Sequence, residues 1–174
     1  KEKDARRTFM VSVRRGMVAF LQKVTAELNL KLHIVDIDHF STEKTLTSNY
    51  PELKKETVAL FGVHAAGLDA SIVKNHEMVD YRRYTRPSDS LGKTIAQYLN
   101  YIKQKDGSQK IAGVYLHGGR VPTDALAALQ SETGIQAFSI DAFRKLTTAE
   151  GLNQSLTNES HRFAAAIGVA LRES

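Results

Sequence analysis

Two rhythms of apolar residues run along this chain. Residues 58–63, 69–74 and 78–85 are short runs of β-branched and apolar residues. A turn at 64–67 separates the first two, and Asn75-His76-Glu77 separates the second and third. Links this short join antiparallel strands, so the pattern predicts a three-stranded meander. Residues 90–105 change to a helical rhythm, with Leu91, Ile95, Tyr98, Leu99 and Ile102 on one face. A buried strand is predicted at 111–116, closed by a Gly118-Gly119 turn. The helix that follows has Pro122 in its first turn, Ala125, Leu126 and Leu129 on one face, and a stop at Gly134. A last strand is predicted at 135–140. This is a βαβ unit, and its glycine pair sits where free helix N–H groups can receive a ligand. A tight turn without a ligand is the plainer reading of two glycines.

The chain before the meander repeats the βαβ pattern. Strands are predicted at 8–13 and 32–37, around a helix at 16–28 with Met17, Phe20, Leu21, Val24 and Leu28 on one face. A second helix over 40–53, capped by Ser41 or Thr42, runs to Tyr50-Pro51, where proline disfavours helix. The charged residues 54–57 mark the main internal boundary. Residues 86–89 read as a loop and 147–160 as a polar loop or irregular helix. A closing helix at 161–172 carries Ala164, Ala165, Ala166, Gly168 and Ala170, small enough to approach a sheet closely. The order β-β-β-α-β-α-β is that of a ribonuclease-H-like half, which actin-type proteins use twice. Residues 1–56 are then the remnant of a first half and 57–174 a second half.

Composition narrows the chemistry. The 174 residues are 42% hydrophobic and 25% charged, as in an ordinary globular protein, and no stretch approaches the roughly 20 apolar residues that span a bilayer. There is no cysteine, hence no disulfide, thiol nucleophile or Cys-based zinc site. No apolar core of a signal peptide follows the charged residues 1–7, and the absence of an initiator Met is expected of a piece of a longer chain. The net charge of +5 is concentrated at Arg6, Arg7, Arg14 and Arg15, and again at Arg82, Arg83 and Arg86. With no interleaved aromatic platform, nucleic acid is not the expected partner. Asp36, Asp38 and His39, with His33 nearby, resemble a metal cluster; on a strand, however, Asp36 and Asp38 share one face and His33 points to the other, so no metal site is expected. Asp69 and Asp141 are single carboxylates at strand ends, more in keeping with caps or ion pairs than with catalysis. The spacing of His64, His117 and His161 predicts no cluster.

Four segments carry a family resemblance. They are the strand–helix unit ending in VDIDHF (35–40), LHGGRV (116–121), IDAF (140–143) and AAIGVALR (165–172). In this order, over 9–172, the chain resembles the C-terminal portion of PilM-type proteins, the actin-like cytoplasmic components of type IV pilus assembly related to FtsA. The resemblance implies an α/β, actin-like ATPase or ribonuclease-H-like fold: a mixed sheet flanked by helices, with an incomplete first half. Actin-like ATPases hold phosphates with two Asp-x-Gly loops and adenosine with a later Gly-Gly. Here the later pair is Gly118-Gly119 and the second phosphate loop falls at 61–69, but Gly62 stands at the acidic place and His64 at the glycine place. Without that carboxylate a magnesium ion loses an oxygen ligand.

The implied nucleotide site, made of Gly118, Gly119, His64 and Gly67, is therefore vestigial. Neither ATP nor magnesium is an expected cofactor, and the chain is not expected to be an enzyme. The implied function is a scaffold at the cytoplasmic face of the inner membrane, with the short cytoplasmic tail of a PilN-like protein as partner and homo-oligomerisation left open. Arg14, Arg15, Arg82, Arg83 and Arg86 would face the membrane or an acidic partner, and exposed sheet edges would accept a strand. Two alternatives stand beside this reading: the actin-like domain of a GspL-kind type II secretion component, and a nucleotide-binding switch whose phosphate loops lie outside this chain.

Overall fold

The strand β1 (Thr57–His64) is apolar on both faces, as a central strand must be when helices cover both sides of its sheet. A computed structural model describes residues 9–85, 90–106, 110–119, 121–122, 124–147 and 154–172. In it β1 pairs antiparallel with β2 (Gly67–Lys74), which pairs antiparallel with β3 (Glu77–Thr85). On its other side β1 runs parallel to β4 (Gly113–His117), and β4 parallel to β5 (Ala137–Ser139). The sheet order is β3-β2-β1-β4-β5. The predicted meander and the following βαβ unit are thus both present, in one mixed sheet.

Alternation along the strands separates two cores. Ala59, Phe61 and Val63 of β1 point to the side of α3 (Leu91–Asp106) and α4 (Ala125–Thr133) and pack with Ile95, Tyr98, Ile102 and Leu129. Val58 and Leu60 point the other way, onto Leu46 of α2 (Asp38–Asn49) and Ala164 of α6 (Ala164–Ala170). Each fully buried Phe, Leu or Ile contributes roughly 1.5–3 kcal/mol by leaving water. Tyr98 buries its ring and keeps its hydroxyl satisfied by donating to Asp80 Oδ2 at 3.0 Å. Gly134 ends α4 with φ 68°, the left-handed turn that favours glycine.

Small residues in the closing segment matter on two surfaces: Ala164 meets the sheet as expected, and Gly168 meets a helix. After a 3₁₀ turn at Ser160–Phe163, α6 packs its Gly168 on α2 rather than on the sheet; a Cβ there would lie 1.7 Å from the Ser41 carbonyl oxygen. Thr45 Oγ1 of α2 donates to the Ala164 carbonyl at 2.6 Å. The start of α2 also differs from expectation. The helix begins at Asp38, and neither Ser41 nor Thr42 caps it: Ser41 Oγ donates back to Asp36 Oδ2 at 2.7 Å and Thr42 Oγ1 to the Asp38 carbonyl at 2.9 Å. A short helix α5 (Gln154–Asn158) precedes the closing segment.

The chain divides into two compact units, residues 1–35 and 36–173, and the sheet lies wholly in the second. In the first, α1 (Arg15–Glu27) forms as its periodicity predicts but has no buried residue. Neither 9–13 nor 32–37 is a strand. β-branched, apolar residues favour a half-buried pleat only where a neighbouring edge completes the ladder, and the described residues offer these segments none. The predicted loop at 86–89 lies outside the described residues, as does much of 147–160.

Candidate functional site

One face of the sheet changes character along its length. On the α2 side, Val58, Leu60, Val73 and Tyr115 are apolar, while the upper end carries Gly62, His64, Asp69, Ser71, Tyr81, Arg83 and His117. Register does this. Gly62 of β1 lies opposite both Asp69 of β2 and His117 of β4, and Leu60 opposite Ser71, so residues far apart in sequence form one polar layer. The first turn of α2 adds His39 and Thr42 above it.

Gly62 is what makes room for this layer. A Cβ at that position would lie 2.7 Å from His117 Nε2 and 2.8 Å from His64 Nε2. Where the resemblance places a metal-binding carboxylate, two imidazoles fill the space.

The imidazoles form a hydrogen-bonded chain whose direction follows from its end. Thr42 uses its only hydroxyl proton on the Asp38 carbonyl, so at 3.2 Å from His117 Nδ1 it accepts, and His117 carries its proton on Nδ1. His117 Nε2 then accepts from His39 Nδ1–H at 3.1 Å, and His39 Nε2 accepts from the Ser71 hydroxyl at 2.8 Å. His39, Thr42, Ser71 and His117 are all buried. Burial, which removes water from the charged form, lowers the His39 pKa to about 4. Burial, followed by the neighbouring His39, holds His117 well below the ordinary histidine value. Both rings are neutral near pH 7.

Beside the chain, Asp69 accepts from the Tyr81 hydroxyl at 2.8 Å, with Arg83 Nε at 3.9 Å. His64 Nε2 is 3.2 Å from Asp69 Oδ2, within ion-pair reach but off the line of a hydrogen bond, so this buried nitrogen has no hydrogen-bond partner. Burial pushes the Asp69 carboxyl up, but contacts with His64 and Tyr81, helped by His39 and Arg83, outweigh it and hold the carboxyl below its usual range. Burial and Asp69 together push the Tyr81 phenol up to about 12. Among the described residues no group of His, Asp and Glu is arranged to hold a metal ion.

The glycines expected at a nucleotide site lie at this same end of the sheet. Gly67 pairs with His64 and Thr85, and a Cβ on it would lie 2.0 Å from the Tyr84 carbonyl oxygen. Gly118 has φ 104°, and its Cβ would lie 2.4 Å from the Val63 carbonyl oxygen; its N–H donates to the His161 carbonyl at 3.3 Å. Both are explained by strand contacts without a ligand. Gly119 alone faces open space.

The adjacent Arg82 and Arg83 fall on opposite faces of β3. Arg82 lies over the Tyr101 ring at 3.6 Å, the neighbouring Arg83 turns towards Asp69, Arg14 and Arg15 stand at the start of α1 in the first unit, and Arg86 is outside the described residues. Asp141 is a local cap, accepting from the Phe143 N–H at 2.9 Å. Sequence reasoning missed His39 and Thr42 as partners of His117, and Ser71 as the partner of His39. The available signal was a histidine ending an otherwise apolar strand, which needs a buried partner.

No protein-family model and no curated protein matches the chain. Solved structures do. A structure described as the PilM–PilN type IV pilus biogenesis complex aligns over 89% of this chain and 57% of that one, with TM-score 0.71 and 15% identity. A Bacteroides thetaiotaomicron protein with an actin-like ATPase fold and unknown function aligns over 92% of this chain and 52% of that one, with TM-score 0.56 and 10% identity. The chain spans little more than half the length of each. Identities this low establish architecture alone: the chain has an actin-like ATPase fold, with a mixed five-stranded sheet flanked by helices.

Proposed function

We propose that this chain is a non-catalytic actin-like scaffold that binds a protein partner, the short cytoplasmic tail of a PilN-like component of a type IV pilus machine. One observation carries the non-catalytic half of this reading. The strand position that would present a carboxylate to magnesium is Gly62, and His64 and His117 occupy the space a side chain there would need. A nucleotide phosphate at this turn would meet a buried, neutral imidazole chain in place of a metal site. The protein-binding half is supported by the architecture shared with the PilM–PilN complex. In this reading the scaffold is held peripherally at the cytoplasmic face of the inner membrane; no helix among the described residues is long and apolar enough to cross a membrane.

The test has two arms. Thermal unfolding with millimolar ATP and magnesium is expected to show no rise in Tm, whereas a ligand at a hundred times its Kd adds about 2.7 kcal/mol and is readily seen. Titration calorimetry with a synthetic PilN-type tail peptide is expected to show saturable binding. A nucleotide-dependent rise in Tm would instead favour a switch, for which the open space beside Gly119 is the one feature in favour.

A further inference from the structure

We propose that α2 is an acid-sensitive cover, whose first turn detaches from the sheet when the His39–His117 pair is protonated. The helix hinges near Asn49 and carries the C-terminal end of α6 with it. Its buried face is almost wholly polar: His39, Ser41, Thr42, Thr45 and Asn49 are buried beside one apolar residue, Leu46. Across the sheet, α3 buries Ile95, Tyr98, Leu99 and Ile102. α2 therefore gains far less by leaving water, and hydrogen bonds decide where it rests. They hold its two ends by different chemistry. At the far end Asn49 Nδ2 donates to the Asp141 and Ala142 carbonyls at 3.0 Å, and none of these groups titrates. At the near end the sheet is reached through His39 and Thr42. The end of α6 is fastened to this near end: Gly168 lies against Ser41, and Arg172 donates to the Phe40 carbonyl and pairs with Asp36.

The neutral pair uses all four of its ring nitrogens. One added proton puts an unpaired charge in a buried place, and a second sets His39 Nδ1–H against His117 Nε2–H across 3.1 Å. The titratable and charged groups facing the rings are His64 of β1, Asp69 of β2, Tyr81 and Arg83 of β3, His161 of the 3₁₀ turn and Asp38 of α2 itself. Asp69 and Asp38 favour a charged His39 and His64 opposes it, but burial outweighs the carboxylates. Once α2 detaches, both rings meet water and regain the ordinary value of about 6.5. With His39 at about 4 when covered, its titration alone makes opening about twentyfold more frequent at pH 5 than at pH 7. His117 adds in the same direction. Glu43 of α2 acts the other way: burial raises its carboxyl to about 6, so acid favours its covered form and offsets part of the effect. Every bond invoked lies within the second unit, and none depends on the pilus reading.

The test is amide hydrogen exchange of the full chain, read by NMR at pH 7 and pH 5 in low urea and corrected for intrinsic rates. A detached helix of 12 residues is unstable in water, so its amides report the opening. Amides of residues 41–46 and 167–170 are expected to share one opening, nearly independent of urea and at least about tenfold more frequent than the opening that exposes α3. That opening is expected to be at least about tenfold more frequent at pH 5 than at pH 7. Glu43→Gln should steepen this dependence, and His39→Gln/His117→Gln should open no more often at pH 5 than at pH 7. If the double variant does not fold, the wild-type and Glu43→Gln measurements decide. Equal protection and equal urea dependence of α2 and α3 overturn the proposal, as does an opening indifferent to pH. A tenfold dependence that survives in the double variant also overturns it, and so does release of α2 while residues 167–170 stay protected.

Discussion

Adding a single methyl group at Gly62 should be one of the most damaging small changes in the second unit. The new Cβ would stand 2.7 Å from His117 Nε2 and 2.8 Å from both His117 Cε1 and His64 Nε2, inside the closest approach real side chains make. His64 is partly exposed and can swing away, but His117 is fully buried and bonded at both ring nitrogens. Overpacking of this kind costs roughly 1–3 kcal/mol. Displacing the ring enough to break its bond with His39 leaves a buried donor unpaired, for roughly 1–3 kcal/mol more. Against this, alanine restricts the unfolded chain and returns about 0.4–1 kcal/mol. The net for Gly62→Ala is a loss of about 2–4 kcal/mol, or a fall in Tm of about 5–15 °C for a chain of this size. Urea melts of wild type, Gly62→Ala, His117→Ala and the double variant would measure the coupling. The double variant should be more stable than the sum of the single losses predicts, by at least about 1 kcal/mol, because removing the ring relieves the clash. Additive losses, or a Gly62→Ala loss under about 0.5 kcal/mol, would refute the claim that Gly62 exists to admit His117.

Three further expectations follow from the same geometry. The His39 pKa is lowered to about 4 in the folded state, so between about 4 and the ordinary 6.5 the unfolded chain binds the extra proton. This contribution is full above pH 6.5 and lost as pH falls; moving from pH 7 to pH 5 should cost about 2 kcal/mol from His39, with His117 adding in the same direction, and a flat urea stability across that range would contradict the burial argument. Long-range proton–nitrogen NMR at pH 7 should show both His39 and His117 as the Nδ1–H tautomer, and an Nε2–H signal from His117 would reverse the assigned direction of the chain. Gly168→Ala should cost at least about 3 kcal/mol in thermal melts, because its Cβ would lie 1.7 Å from a backbone oxygen of α2 that can yield only if the two helices part.

How much of this was legible depended on sequence distance. The strands β1, β2, β3 and β4 announce themselves as apolar runs between turn residues, and α3 by five apolar positions at helical spacing. The stop of α4 at Gly134, where the backbone turns left-handed, and the tight glycine turn after β4 at Gly118 were also readable, since glycine punctuates the chain at such places. Residues 8–13 and 32–37 misled because their β-branched residues state a preference that only a neighbouring strand can realise, and pattern does not show whether one exists. The polar layer was hidden for a related reason: Ser71 lies 32 residues from His39 and His117 lies 78, so only strand register brings them together. The start of α2 failed locally, where Ser41 reaches back to Asp36 instead of forward to a free N–H.

The imidazole chain ends on the carbonyl oxygen of Asp38, which has no proton to give back. A conduit for protons must be able to reset, each link passing its hydrogen on and then receiving one from behind. This row of groups cannot be refilled from the Asp38 end, so it holds one arrangement of its hydrogens and carries no current of them. It behaves as a latch, fastening the start of α2 to β2 and β4 through bonds that all point the same way. Its ring hydrogens should therefore be among the slowest in the molecule to exchange with heavy water, and their release would report the moment α2 lifts from the sheet.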